Sequence, residues 1–139
     1  MSLMHPKPAK ETTSVKVILE WAKEKLLRAQ IESPILDARL LLGFALGTPQ
    51  ERFYGSEDKI LTKIQADNYI KIIERRCERE PVSRIIGTRS FWNLTLRINL
   101  SSLDPRPDSE ILMESILRNF PDKSANLKFI DFGTGTGCL

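Results

Sequence analysis

Residues 14–47 read SVKVILEWAKEKLLRAQIESPILDARLLLGFALG, and this stretch decides the fold class because its apolar residues recur at helical spacing. Ser14 is a candidate N-cap, since its hydroxyl can accept a hydrogen bond from a free N–H of the first turn. The apolar positions that follow it are Val15, Ile18, Leu19, Ala22, Leu26 and Ala29. They predict an amphipathic helix that begins at Ser14 and ends near Gln30.

A second helix is predicted directly after the first. Ser33 is its candidate cap, Pro34 takes the first helical position, and Asp37 suits the positive end of the helix dipole. Gly47 is placed to end this helix, because glycine adopts the left-handed conformation at little cost. The apolar run between these ends is nearly continuous, which predicts that the helix is the buried centre of a bundle.

A further helix is predicted after residue 61, where residues 62–65 (TKIQ) fit the capping-box pattern. Its apolar face comprises Ile64, Tyr69, Ile72, Ile73 and Cys77. This helix is predicted to end near Arg79. A separate short helix is predicted earlier in the chain, around Pro49 to Phe53. We therefore expect a flexible tail over residues 1–13 and a small all-helical bundle over residues 14–80.

The pattern changes at Glu80-Pro81, because proline disfavours a helical conformation in the residue before it. Two short runs of aromatic and β-branched residues, divided near Asn93, predict a β-hairpin within a linker over residues 81–103. Two interpretations of Phe91 and Trp92 stay open: they form the core of the hairpin, or they line the wall of a substrate cleft.

Residues 104–139 predict the start of an α/β domain. A stiff segment (104–107, DPRP) precedes a helix that begins at Asp108 or Ser109 and ends near Asn119. Residues 128–132 (KFIDF) then predict a strand. The predicted fold class is therefore mainly α: a small helical bundle, a hairpin linker, and the first helix and strand of an incomplete Rossmann-like domain.

Composition excludes several classes of protein. The hydrophobic fraction of 41% and the charged fraction of 28% are those of an ordinary globular chain, and the net charge of +3 is too small to indicate a nucleic-acid binder. Arg75-Arg76 is the densest basic spot and is interpreted as a solvated helix face. Cys77 and Cys138 are not in metal-ligand spacing, so no metal site is expected and a reducing cytoplasm is the default. No membrane span or signal peptide is expected.

A glycine-rich turn follows the predicted strand, and residues 131–137 read DFGTGTG. Glycines let a backbone approach a ligand, and the N–H groups of a following helix would point toward it. A dinucleotide fingerprint would need glycine where Cys138 stands, and a P-loop would need Gly-Lys-Ser/Thr. The pattern is typical of the first motif of S-adenosylmethionine-dependent methyltransferases, although a structural turn without a ligand stays open. The candidate cofactor-binding residues are Asp131, Gly133, Thr134, Gly135, Thr136 and Gly137.

Three segments resemble, in order and spacing, the protein N5-glutamine methyltransferase family. They are residues 80–92 (EPVSRIIGTRSFW), 103–110 (LDPRPDSE) and 131–137, and Arg75-Arg76 and residues 37–42 (DARLLL) match as well. Asp104 and Ser109 are mild departures from the family pattern. The resemblance implies S-adenosylmethionine as cofactor and methylation of the glutamine of the GGQ motif in class I peptide chain release factors. It implies a cytoplasmic enzyme whose helical domain recognises a release factor free of the ribosome, with no direct nucleic acid or membrane contact.

The family's catalytic Asn-Pro-Pro-Tyr motif is absent from these 139 residues, which contain no Pro-Pro pair. The resemblance implies that this motif orients the weakly nucleophilic glutamine amide toward the sulfonium methyl. We therefore expect an N-terminal portion that stops within the cofactor motif, has no catalytic residue, is inactive alone and binds cofactor very weakly. Without neighbouring strands, residues beyond about 121 are expected to be poorly ordered, partner-dependent or aggregation-prone.

Two other functions stay open at this point: a stand-alone, non-catalytic helical module that binds a protein or a structured RNA, and a fragment of a Rossmann dehydrogenase, which Cys138 disfavours. Arg106 also has two interpretations. It lies near the edge of the cofactor, or it caps or pairs with Glu110. The exposed side chains of residues 14–80 either recognise the partner or only surround a packed bundle.

Overall fold

The computed structural model describes residues 12–48, 58–99, 105–106, 108–122, 124–135 and 137. The chain divides into two compact units, Met1–Ile86 and Gly87–Leu139. The first unit contains the strand β1 (Thr12–Ser14), the helices α1 (Val15–Arg28) and α2 (Pro34–Leu46), the strand β2 (Ile60–Thr62), and the helices α3 (Lys63–Cys77) and α4 (Val82–Ile86). The second contains the strands β3 (Thr88–Phe91) and β4 (Leu94–Arg97) and the helix α5 (Asp108–Asn119).

The core of the first unit lies where α1, α2 and α3 pack against one another. Its buried residues are Val15, Ile18, Trp21, Ala22, Leu26, Ile31, Ala38, Leu41, Leu42, Leu61, Ala66, Tyr69, Ile70, Ile72, Ile73 and Ile85. Most of the apolar positions predicted from helical spacing in α1 and α3 are among them. Ile64 is an exception, because its side chain is 82% exposed at the start of α3. The prediction of a helical bundle is confirmed.

Most of the helix caps in the structure are those that the sequence predicts. The Ser14 hydroxyl accepts a hydrogen bond from the Val17 N–H, and Thr62 and Gln65 form the predicted capping box. Gly47 ends α2 in the left-handed conformation at φ +61°. Ser33 stands at the N-cap of α2 but makes no side-chain cap bond. The predicted short helix around Pro49 to Phe53 lies outside the described residues.

The prediction that α2 is the buried centre of the bundle is wrong. Leu41 and Leu42 are fully buried, but Ile35, Leu36 and Phe44 are 54%, 52% and 42% exposed. The helix therefore buries one face, as its neighbours do. A nearly continuous apolar run cannot show how many faces of a helix are covered, because coverage depends on how many elements pack against it.

A short ribbon joins the starts of two helices, and the sequence did not predict it. β1 pairs antiparallel with β2, with Thr13 opposite Leu61, and each strand leads directly into the helix that follows it. Thr12 and Thr13, which the sequence assigns to a flexible tail, are part of this ribbon. Three-residue strands are too short to show a period of two.

The second unit contains the predicted hairpin and helix. β3 pairs antiparallel with β4, Phe91 stands opposite Leu94, and α5 begins and ends within the predicted bounds. The predicted strand over residues 128–132 is wrong, since no strand is present between residues 126 and 131, and Phe132 is 92% exposed. Its apolar pattern needs a neighbouring strand, and none of the described strands pairs with it. The Rossmann-like assignment of residues 104–139 and the domain boundaries stay predictions.

Candidate functional site

The residues that carry the family resemblance in the helical unit form a polar clamp, which we define as Asp37, Arg75, Arg76 and Glu80. The Arg76 Nε donates to the Asp37 Oδ2 at 2.7 Å, and an η nitrogen of Arg76 donates to the backbone carbonyl of Glu80 at 3.1 Å. Asp37 is only 6% exposed. The interpretation of Arg75-Arg76 as a solvated face is therefore wrong for Arg76, whose charge holds α2 and the end of α3 together.

Arg75 completes the clamp on the outer side. Its Nε and one η nitrogen donate to the two carboxylate oxygens of Glu80 at 2.7 and 2.6 Å, a bidentate pair. This hydrogen bonding lowers the pKa of the Glu80 carboxyl below its ordinary value and raises the pKa of Arg75. The two arginines thus fix the turn between α3 and α4, which precedes the second unit in the chain.

Tyr69 fixes α2 from the same side. Its hydroxyl donates to the backbone carbonyl of Ala38 at 2.8 Å, and its ring is fully buried. Burial raises the pKa of the Tyr69 phenol well above its ordinary value, so it stays a neutral donor. The consecutive residues Asp37 and Ala38 are therefore both bonded to α3, which sets the position of α2.

The glycine loop has the backbone that its sequence requires. Gly133, Gly135 and Gly137 have φ of +85°, +55° and +70°, a region that side chains other than glycine rarely adopt. The Gly137 N–H donates to the Thr134 carbonyl at 2.9 Å, which closes a turn. A Cβ at Gly133 would meet nothing within 4 Å, so conformation rather than packing demands glycine there. The loop residues, Asp131 included, are exposed, and Thr136 lies outside the described residues.

Three other candidate residues lie in the second unit. Glu110 accepts a hydrogen bond from the Trp92 backbone N–H at 2.9 Å, and no described ion pair joins it to Arg106. Of the two open interpretations of Arg106, a pair with Glu110 is therefore not seen among the described residues, and a position near the cofactor stays a prediction. Phe91 is buried at 3% exposure, whereas Trp92 is 40% exposed at the hairpin turn with φ +54°. The core interpretation is right for Phe91 and wrong for Trp92.

The fold and these motifs match a known family. The family model described as the PrmC N-terminal domain matches residues 18–87, half of the chain. The chain belongs to this family. The match covers most of α1 and all of α2, α3 and α4, and so includes the whole polar clamp. The resemblance drawn from the motifs is confirmed.

Curated relatives of the chain carry the name release factor glutamine methyltransferase. The chain is 36% identical to the protein of Caulobacter vibrioides over 118 residues, which cover 85% of this chain and 40% of that protein. It is 41% identical to the protein of Shewanella oneidensis over 121 residues, which cover 87% and 41%. The chain therefore spans about two fifths of the length of the curated relatives it matches.

The sequence did not reveal the role of Asp37. Its position at the start of α2 predicts an interaction with the helix dipole, whereas its ion pair with Arg76 joins residues far apart in the chain. The signal that could have found it is the joint occurrence of Arg-Arg, Glu-Pro and the Asp-Ala-Arg segment in one family pattern.

Proposed function

We propose that this chain contributes partner recognition and the first cofactor motif to an enzyme that methylates the N5 amide of glutamine in the GGQ motif of class I peptide chain release factors. The observation that carries the proposal is the family match over residues 18–87, a segment that contains the whole polar clamp and all of the core except Val15. The names of the relatives supply the reaction and the substrate class. A cytoplasmic location is part of the same proposal and rests on the resemblance alone. Among the described residues, no helix is long and apolar enough to cross a membrane.

The cofactor proposed is S-adenosylmethionine, a sulfonium that supplies an activated methyl group. Asp131, Gly133, Thr134, Gly135, Thr136 and Gly137 would lie against it. The observation that supports this fit is the loop backbone, since three glycines at positive φ let the main chain approach a ligand without a Cβ in the way. The exposure of the loop leaves it open to a ligand.

We propose that these 139 residues alone do not transfer methyl groups, because they contain no Asn-Pro-Pro-Tyr motif to accept the amide N–H bonds of glutamine. The chemistry needs such acceptors, since the amide lone pair is delocalised into its carbonyl and must be oriented toward the methyl. The residues of the helical unit would instead bind the release factor.

The test uses the 139-residue chain, a purified unmethylated class I release factor and S-adenosylmethionine. We expect the chain to bind the release factor in an anisotropy titration and to leave the glutamine unmethylated in peptide mass spectrometry. Isothermal titration with S-adenosylmethionine is expected to give little heat. Micromolar cofactor affinity, or a methylated GGQ peptide, would contradict the inactive assignment, and absence of release-factor binding would contradict the recognition role.

A further inference from the structure

The turn that joins β3 and β4 places a tryptophan where such turns favour glycine. Phe91 pairs with Leu94, so Trp92 and Asn93 form a two-residue turn. Trp92 has φ +54°, whereas Asn93 does not have a positive φ. A positive φ at the first turn residue alone is typical of a type II′ turn, in which that position favours glycine. Trp92 therefore holds a left-handed conformation that costs conformational free energy.

Packing does not account for a tryptophan at this position. The preceding Phe91 is buried at 3% exposure, but Trp92 is 40% exposed and Leu94 is 54% exposed. A tryptophan stabilises a fold when its large apolar surface leaves water, and much of the Trp92 side chain stays in water. Glycine would form the same turn without the strain. A strained residue that keeps an aromatic side chain at the surface indicates a binding role, because tryptophan is among the residues that contribute most to protein interfaces.

Glu110 fixes this turn from the first turn of α5. Its Oε1 accepts the Trp92 backbone N–H at 2.9 Å. A hydrogen bond to an ionised carboxylate is stronger than one between neutral groups, so it offsets part of the strain at Trp92. The bond joins the last residues of two segments that carry the family resemblance, 80–92 and 103–110. Because the turn is already fixed before a partner arrives, little backbone entropy is lost on binding.

The chemistry of the turn favours a protein segment with little side-chain bulk. Glu110 places a negative charge at the turn and Asp108 adds another in the same turn of α5, which disfavours the phosphates of a nucleic acid. An indole has a flat apolar face, and that face can lie on a peptide backbone only where no side chain keeps it away. Consecutive glycines meet this condition. The GGQ motif of the proposed substrate has two glycines next to the glutamine that is methylated.

We propose that Trp92 contacts the two glycines of the release-factor GGQ motif, and that Glu110 is the positioning residue that holds Trp92 for this contact. The indole face would cover the Gly-Gly backbone, which has no side chain to keep it away. This inference rests on the proposed function, which supplies the GGQ motif, and adds a contact and its chemistry. It assigns to the second unit a share of the release-factor binding that the proposed function gives to the helical unit.

The test is a double-mutant cycle with the 139-residue chain. Labelled unmethylated class I release factor, and a version with alanines in place of both GGQ glycines, are each titrated with the parent chain and with Trp92→Gly. Trp92→Gly is expected to weaken binding of the unaltered release factor by about 10-fold. With the altered release factor it is expected to change the affinity by less than about twofold, because the contact is already lost. Phe129→Gly removes another exposed aromatic side chain of the second unit and is the control, expected to stay within about twofold of the parent chain.

Two further measurements separate binding from a structural role. The Ile98 N–H donates to the Gly87 carbonyl at 2.9 Å, so its hydrogen exchange reports whether the hairpin is intact. Trp92→Gly gives the turn its favoured residue and is expected to leave this exchange as slow as in the parent chain, whereas faster exchange would show a structural role and overturn the proposal. Glu110→Ala is expected to shift the Trp92 amide resonance and to weaken binding by about threefold. Glu114→Ala, at an exposed position of the same helix, is expected to change neither.

The outcomes separate this inference from the proposed function. Equal binding of the unaltered release factor by the parent chain and Trp92→Gly would overturn the Trp92 contact and leave release-factor recognition standing. An equal loss of affinity for both release factors would place the contact outside the GGQ motif and overturn this assignment. Absence of binding by the parent chain would overturn recognition, and the Trp92 contact with it.

Discussion

The two units of the chain contain the same kinds of apolar residue and use them differently. In the helical unit, side chains such as Leu26 and Ile73 are fully buried among three helices. In the second unit α5 has no buried residue, and Ile130 and Phe132 are 78% and 92% exposed. The apolar side chains of a segment set how much stabilisation burial could provide. They provide it only where another element packs against them and removes them from water.

Helix α5 shows that an apolar helix face can form and still be left exposed. Its sequence is amphipathic, its first turn is acidic and it ends where expected, so its local signals are complete. Yet Ile111, Leu112 and Leu117 are 66%, 51% and 41% exposed. Local signals therefore determine that a helix forms, and they do not determine whether its apolar face is covered.

The largest expected effect tests this comparison with one substitution made in both units. Ile73→Ala removes a fully buried side chain from α3 and is expected to lower the free energy of unfolding by about 2–5 kcal/mol. Ile130→Ala removes the same atoms from an exposed position and is expected to change it by less than about 0.5 kcal/mol. Urea unfolding followed by circular dichroism measures both, and equal losses would break the comparison.

A second prediction concerns the polar clamp. Asp37→Ala leaves the Arg76 guanidinium, which is 18% exposed, without its carboxylate and is expected to cost about 2–3 kcal/mol of stability. Glu20→Ala breaks an ion pair of the same 2.7 Å length on an exposed surface and is expected to cost less than about 1 kcal/mol. Thermal unfolding of both variants measures the stability that each substitution costs. Similar costs would mean that burial does not strengthen the clamp.

The caps offer a smaller effect with an internal control. Thr62→Ala removes half of a capping box and is expected to cost about 1 kcal/mol. Ser33→Ala removes a hydroxyl that makes no cap bond, so its expected cost is near zero. Chemical denaturation resolves the difference. A larger loss for Ser33→Ala would show that α2 depends on its N-cap residue in a way that the hydrogen bonds do not reveal.

The smallest expected effect is pH-dependent. The pKa of Glu80 is lowered by its bond to Arg75, so the folded state favours the ionised carboxylate. The resulting stability is present above the ordinary Glu value of 4.5 and is lost as the pH falls through the lowered folded-state pKa. Glu80→Gln is expected to flatten the acid side of the stability profile by less than about 1 kcal/mol, since the pair is exposed. An unchanged profile between pH 2 and pH 5 would contradict it.

Interactions between residues close together in the chain could be predicted from sequence, and those between distant residues could not. Ser14, Thr62 and Gly47 act on backbone groups within four residues, and their roles could be read from the chain. Leu36 and Leu41 belong to the same helix, but Leu36 is 52% exposed and Leu41 is fully buried, because burial depends on where α1 and α3 lie. The pairing of Thr13 with Leu61 and the Asp37–Arg76 pair join distant parts of the chain, and one sequence carries no local signal for them.

The candidate cofactor loop shows the same limit. The need for glycine could be predicted, and φ at Gly133, Gly135 and Gly137 agrees with it. The strand before the loop was predicted from an apolar run and is absent from the described residues, because strand pairing is a property of two segments.

The ultraviolet absorbance of Tyr69 can report whether the helical unit is folded. The chain contains two tyrosines, and the phenol of Tyr69 ionises only after water reaches it, because burial raises its pKa well above the ordinary value of 10.0. Tyr69 has an ordinary pKa in the unfolded state and therefore loses its proton more readily there. Raising the pH above 10.0 consequently favours unfolding of the bundle. The ultraviolet absorbance of tyrosinate would then appear in step with the loss of helical ellipticity, without any attached dye.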